Sequence, residues 1–250
     1  MPLLSTHRLT KHFDGVFAVN KLSISFEPHK ITGIIGPNGS GKSTLINTLT
    51  GMHVMDGGEV IIAGSTHLTR IRAHEVPVYG MTRTFQDVRL FEQMPVLDNI
   101  LVVLTERGIW SALFEKHSAL HLEKAEQALK RVGLWDKRNE LASSLSYGQR
   151  KLLEIARIIA VVHSGVGDIT TIFFDEPFAG LFPEMIKTVV SVMQELRDQG
   201  KGVVLVEHNM DLIRQLCDYL YVLDAGELLA EGLPDDVLKR PDVIEAYLGE

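Results

Sequence analysis

Residues Gly36-Pro37-Asn38-Gly39-Ser40-Gly41-Lys42-Ser43-Thr44 follow the spacing G-x-x-x-x-G-K-[ST]. Glycines in such a run let several backbone N–H groups turn toward one anion with no Cβ in the way. A helix opening at the end of the run adds the positive end of its dipole. Lys42 can reach β and γ phosphates, and the Ser43 hydroxyl can ligate Mg²⁺. The chemistry is that of a nucleoside triphosphate. The plainer alternative is a Gly-rich strand-to-helix turn without a ligand, and the buried strand before it and helix after it weigh against that.

A second group stands far down the chain. Ile172-Phe173-Phe174-Asp175-Glu176 is an apolar strand ending in two carboxylates. Asp175, at the C-terminal end of such a strand, can hold Mg²⁺ opposite the phosphate cradle. Glu176 is then placed to orient or deprotonate an attacking water. Two acids after a strand can also be no more than the start of a loop. The phosphate loop upstream turns the balance toward a site.

These residues need a scaffold, and the hydropathy pattern supplies one. Leu22, Ile24 and Phe26 alternate with Ser23, Ser25 and Glu27, as in a half-buried strand. Ile31 to Ile35 reads as a strand buried on both faces, residues 44–49 as a helix stopped by Gly51, and residues 59–63 as another short strand. From Pro95 to about Val132 the chain is rich in Leu, Glu, Lys and Ala, with Leu120, Ala125, Ala128 and Leu129 near a helical stripe. A further helix runs through Lys151 to Ala160, so residues of about 88–160 are expected to form a helical insertion. Strands at 171–174, 203–206 and 219–223 then alternate with helices at 183–197 and 210–216, which implies a mainly parallel sheet covered on both faces. His163 to Asp168 reads as a small loop. There is no internal repeat and no low-complexity tract.

Composition narrows the classes. The 250 residues carry 25 Lys plus Arg and 32 Asp plus Glu, a formal net charge of −7. That balance argues against coating nucleic acid by bulk charge, though it permits a local cationic pocket. The single cysteine, Cys217, permits no intrachain disulfide and favours a reducing compartment. Residues 1–21 lack the apolar core of a signal peptide, and no window has the roughly 18 apolar residues of a membrane span. The expectation is a soluble chain that can still attach to a membrane through a partner.

The third motif makes the pattern specific. Leu145-Ser146-Tyr147-Gly148-Gln149 precedes a helix that opens with Arg150-Lys151. Alone it would be a helix cap around Ser146. In order with the other two motifs it resembles the signature sequence of ABC-type ATPases, usually written LSGGQ. The resemblance covers essentially the whole chain. It implies an α/β fold: a P-loop NTPase core of the ABC type with a mainly parallel sheet, an N-terminal antiparallel β-subdomain and an inserted helical subdomain. It also implies that Ser146, Gly148 and Gln149 serve the γ-phosphate held by a second subunit, so that two copies close head to tail around two ATP molecules. Gln86, in Arg83-Thr84-Phe85-Gln86-Asp87, resembles the glutamine that senses Mg²⁺ and the attacking water and that opens the segment touching the membrane partner; a polar strand terminus is the alternative. His208, in Val206-Glu207-His208-Asn209, resembles the switch histidine that positions the γ-phosphate and Glu176. Phe13, in Lys11-His12-Phe13-Asp14-Gly15, resembles the aromatic that stacks on adenine, the alternative being an ordinary strand aromatic. One departure stands out. Phe182 occupies the place where the family's D-loop usually carries Asp or Asn reaching across the dimer, which puts cross-subunit coordination in doubt.

Within the family, Thr82-Arg83-Thr84-Phe85-Gln86, Met94-Pro95-Val96-Leu97-Asp98-Asn99 and the ending Pro241 to Gly249 look like the ATP-binding subunits of branched-chain amino acid importers. Urea importers and the lipopolysaccharide export ATPase are close relatives. The resemblance implies ATP and Mg²⁺ as cofactors, a second ATP-binding subunit and transmembrane permease subunits as partners, no nucleic acid, and a peripheral place on the cytoplasmic face of the membrane. Ile109, Trp110, Leu113 and Phe114 could face a partner or the membrane, with core packing the favoured alternative. Two rivals are a soluble ABC-type clamp acting in DNA maintenance, disfavoured by the absence of sustained heptads, and a hydrolysis-poor regulatory subunit motivated by Phe182.

Overall fold

The computed structural model describes residues 1–104, 119–164 and 168–248. Ile109, Trp110, Leu113 and Phe114, residues 165–167 of the short loop and Gly249 lie outside the described residues. The chain divides into two units. The first comprises Met1–Arg83, Ile169–Glu176 and Val192–Glu250; the second comprises Thr84–Asp168 and Pro177–Ser191.

The first unit holds two sheets. Strands β1 (Leu4–Phe13), β2 (Val16–Leu22), β3 (Ser25–Phe26), β5 (Gly57–Ile62) and β6 (Thr66–Leu68) form an antiparallel sheet in the order β2-β1-β5-β6, with β3 on β1. The second sheet runs β11-β10-β4-β9-β8-β7. Its members are β4 (Lys30–Ile35), β7 (Met81–Arg83), β8 (Thr171–Asp175), β9 (Gly202–Val206), β10 (Tyr219–Asp224) and β11 (Glu227–Gly232). All its pairings are parallel except β10 with the edge strand β11. Every residue of β8 and β9 is buried, which is why these strands read as unbroken apolar runs rather than alternations. The Phe26 ring joins the two sheets, edge-on to Phe173 at 6.0 Å and to Tyr221 at 6.3 Å between centroids. Burying a side chain of this size stabilises the unit by about 1.5–3 kcal/mol. Helices α1 (Lys42–Leu49), α6 (Met210–Leu216), α7 (Pro234–Val237) and α8 (Pro241–Leu248) belong to the same unit.

The expected strand over 22–26 is broken. The chain leaves β2 at Leu22 and re-enters as β3 at Ser25, and the Thr6 hydroxyl fills the gap. It donates to the Leu22 carbonyl at 2.9 Å and accepts from the Ile24 amide at 3.0 Å. Ile24 is still buried, so the apolar alternation records burial and not continuity. Strand β11 had no counterpart in the hydropathy reading, because its apolar run is only Leu228 to Ala230, set between Glu227 and Glu231.

The second unit is helical: α2 (Val96–Leu104), α3 (Ala119–Arg131), α4 (Tyr147–Val162) and the first part of α5 (Pro183–Asp198). It takes in more chain than residues 88–160, and it is discontinuous. In α3, Ala125, Ala128 and Leu129 are buried, a stripe at i, i+3 and i+4 that buried Val132, just past the helix, extends. Leu120 does not belong to it. Five residues before Ala125, it is rotated off the face and is 53% exposed. Among the described residues no helix is long and apolar enough to cross a membrane.

Candidate active site

Strand β4 delivers the chain to Gly36, and the loop over 36–41 turns it into α1. Gly41 stands at the N-cap with φ 101° and ψ 1°, and no side chain caps the helix. Its left-handed backbone tolerates no other residue cheaply, and a Cβ there would press into the Ala18 carbonyl oxygen. The first amides of α1 are thus left for something other than a side chain. Lys42 is buried, and its Nζ donates to the carbonyls of Gly36 at 2.7 Å and Pro37 at 2.8 Å. A buried ammonium requires such acceptors. Asn38, Gly39 and Ser43 are exposed and Ser40 is buried; Thr44, partly exposed, lies in the first turn of α1.

Asp175 ends β8, is buried, and pairs with Arg83 through Oδ2 to Nη2 at 3.0 Å. Glu176 follows with φ 47°, in the left-handed region, and its amide donates to the Val206 carbonyl at 3.0 Å. That conformation costs a non-glycine residue about 1–3 kcal/mol and concentrates at functional sites. It turns the side chain to His208, whose Nε2 lies 3.0 Å from Glu176 Oε1. His208 follows β9, the neighbour of β8 in the sheet, so parallel pairing brings together two residues 32 apart in sequence. Phe13 ends β1, where Asp14 and Gly15 close a two-residue hairpin onto Val16. Its half-exposed ring has the Lys11 ammonium 4.9 Å from its centroid and the His53 ring edge-on at 5.2 Å. Lys11 is itself held by Asp56 at 3.0 Å. The His12 amide and then Lys11 hold the Asp56 carboxyl below its ordinary value.

Gln86, Ser146, Gly148 and Gln149 belong to the second unit. Gln86 is exposed in a bend three residues beyond β7. Ser146 caps α4 in a reciprocal box: its Oγ accepts from the Gln149 amide at 3.3 Å, and its amide donates to Gln149 Oε1 at 3.1 Å. Gly148 is buried, and a Cβ there would meet the Met185 sulfur at 2.7 Å.

A family model described as ABC transporter matches residues 19–179. The chain belongs to the ABC transporter family. A second model, described as branched-chain amino acid ATP-binding cassette transporter, matches residues 227–250. The high-affinity branched-chain amino acid transport ATP-binding protein LivG of Escherichia coli (strain K12) is 38% identical, the alignment covering 100% of this chain and 98% of that protein. Among solved structures, a nucleotide-free ATP-binding cassette from an ABC transporter superposes with a TM-score of 0.85 at 34% identity, covering 100% of both chains. A cassette in its ADP conformation does so with a TM-score of 0.84 at 34% identity, again over 100% of both.

Phe182 is 73% exposed, an apolar side chain turned to solvent. The Ser43 hydroxyl and the Asp175 carboxylate are hard oxygens of the kind a Mg²⁺ ion takes. Among the described residues no three His, Cys, Asp or Glu side chains converge to hold a metal by themselves. Sequence reasoning missed Arg83, which sits inside the quoted motif at 82–86. The available signal was a cation at the end of a short strand whose neighbour ends in Asp175. It also missed the Lys11, Asp56 and His53 setting of Phe13, which only the fold assembles.

Proposed function

We propose that this chain is the ATP-binding and hydrolysing subunit of an ABC importer, energising uptake of branched-chain amino acids. The observation that carries the catalytic reading is the 3.0 Å contact of Glu176 and His208 at the ends of two adjacent parallel strands of a cradle-bearing fold. The match over residues 227–250 and the full-length likeness to a branched-chain amino acid transport protein support the substrate class.

In this reading residues 36–44 hold the phosphates, with Lys42 exchanging loop carbonyls for phosphate oxygens, and Phe13 stacks on adenine. Ser43 and Asp175, with Gln86, would hold Mg²⁺, which would neutralise charge on the phosphates. Glu176 takes a proton from the attacking water, and His208 holds Glu176 and the γ-phosphate in register. Ser146, Gly148 and Gln149 act on the nucleotide of a second subunit, so closure is driven by the tighter binding of the closed state. Permease subunits tether the assembly to the cytoplasmic face of the membrane, and this chain meets the membrane only through them. Related substrates such as urea or lipopolysaccharide, and a soluble clamp, are the competing readings.

The test is purification from membranes through a tag on this chain. Recovery of permease-like subunits, with ATP turnover stimulated by leucine, isoleucine or valine in reconstituted vesicles, is the expected result. Recovery of DNA-repair factors and no membrane protein would sink the importer reading.

A further inference from the structure

The guanidinium of Arg83, at the end of β7, is almost wholly buried, and it donates to a carboxylate, an amide oxygen and a hydroxyl. Nη2 donates to Asp175 Oδ2 at 3.0 Å, while Nη1 donates to Asn47 Oδ1 at 2.7 Å and to Thr50 Oγ1 at 2.9 Å. Asn47 and Thr50 stand four and seven residues after Ser43, so they continue the face of α1 that Ser43 opens. Arg83 therefore ties the helix that carries one cation-ligating oxygen to the strand that carries the other. Its planar fork suits this task, since it presents donors in fixed directions to several acceptors.

We propose that Arg83 is a positioning residue that fixes the Asp175 carboxylate and, as a permanent positive charge beside it, limits how strongly a divalent cation and the nucleotide reinforce each other's binding. The proposal rests on the assignment of Asp175 to cation binding. A cation arriving at Asp175 meets a carboxylate whose charge is already balanced in a buried setting. Like charges a few ångströms apart there repel far more than in water. The cation is held firmly enough to act and loosely enough to leave with product, and the fixed guanidinium sets that compromise.

The experiment measures the affinity of ADP in excess Mg²⁺ and in EDTA by calorimetry, for wild type, Arg83→Met and Arg83→Lys. The ratio of the two affinities reads the coupling directly and needs no turnover. Loss of the charge in Arg83→Met raises that ratio by about tenfold. Arg83→Lys, which keeps the charge and loses the fork, stays within about threefold of wild type. Should Arg83→Met fail to fold, Arg83→Gln carries the same expectation with a donor retained for Asp175. An unchanged or lowered ratio in a folded neutral variant overturns the proposal and makes Arg83 a purely structural counter-ion. Absence of ADP binding by wild type would instead overturn the nucleotide site itself.

Discussion

Helices α1 and α4 each have a serine and a glycine at their start, yet their first turns are finished in opposite ways. In α1 the N-cap is Gly41 in a left-handed conformation, with no side chain accepting from the helix amides. In α4 the Ser146 hydroxyl and the Gln149 amide oxygen close a reciprocal box on the backbone. The first helix start is built from backbone alone and leaves donors for an anion. The second is self-sufficient as a fold element, so whatever it offers a nucleotide comes from a start that is already stable. Glycine serves differently as well: Gly41 makes a backbone path possible, whereas Gly148 makes room for Met185.

That contrast orders the effects of mutation. Gly41→Ala forces a Cβ against the Ala18 carbonyl on a left-handed backbone. It should cost about 2–4 kcal/mol and remove detectable ADP binding, as followed by denaturant unfolding and calorimetry. Retained affinity would show that the cradle is not backbone-built. Gly148→Ala meets the flexible end of Met185, with Leu181 Cδ2 in ordinary contact at 3.4 Å, so about 1–2 kcal/mol is expected, with ADP affinity unchanged. Ser146→Ala opens the box at α4 and should cost about 1 kcal/mol. A thermal unfolding midpoint identical to wild type would mean the box contributes nothing.

The smallest effect belongs to neither helix and serves as a control on the N-terminal hairpin. The Asp56 carboxyl titrates below its ordinary 3.8, chiefly because the His12 amide and then Lys11 stabilise the anion. A carboxyl depressed in the folded state contributes stability above pH 3.8, and that contribution is lost as pH falls through the lower folded value. Wild type should therefore lose stability below about pH 4 more steeply than Asp56→Asn. Parallel acid-side profiles for the two proteins would remove Asp56 from the account.

Much of this site could be read before the fold was known, for reasons that differ from residue to residue. The cradle at 36–44 is contiguous, so its spacing alone carries its geometry. Asp175 and Glu176 were legible because a strand buried on both faces must end where its polar residues begin. The Glu176–His208 contact was expected only through family resemblance, since nothing local couples positions 32 apart. Arg83 was invisible as a partner of Asp175 because Asn47, Thr50 and Asp175 lie far from it in sequence, and parallel pairing of β7 with β8 brings Asp175 within reach. The elements misread were those in which hydropathy and hydrogen bonding part company. Ile24 is buried without being in a strand, β11 is a strand whose short apolar run is closed by Glu227 and Glu231, and Leu120 is apolar yet turned to solvent.

The central claim is that Glu176, held by His208, activates water at a nucleotide bound by residues 36–44. It is tested most directly by phosphate release from purified wild type and Glu176→Gln, with ADP and ATP affinity measured on the same preparations. The account predicts that Glu176→Gln binds ATP as tightly as wild type or more so, while turnover falls by about a hundredfold or more. Equal phosphate release from the two proteins would contradict it.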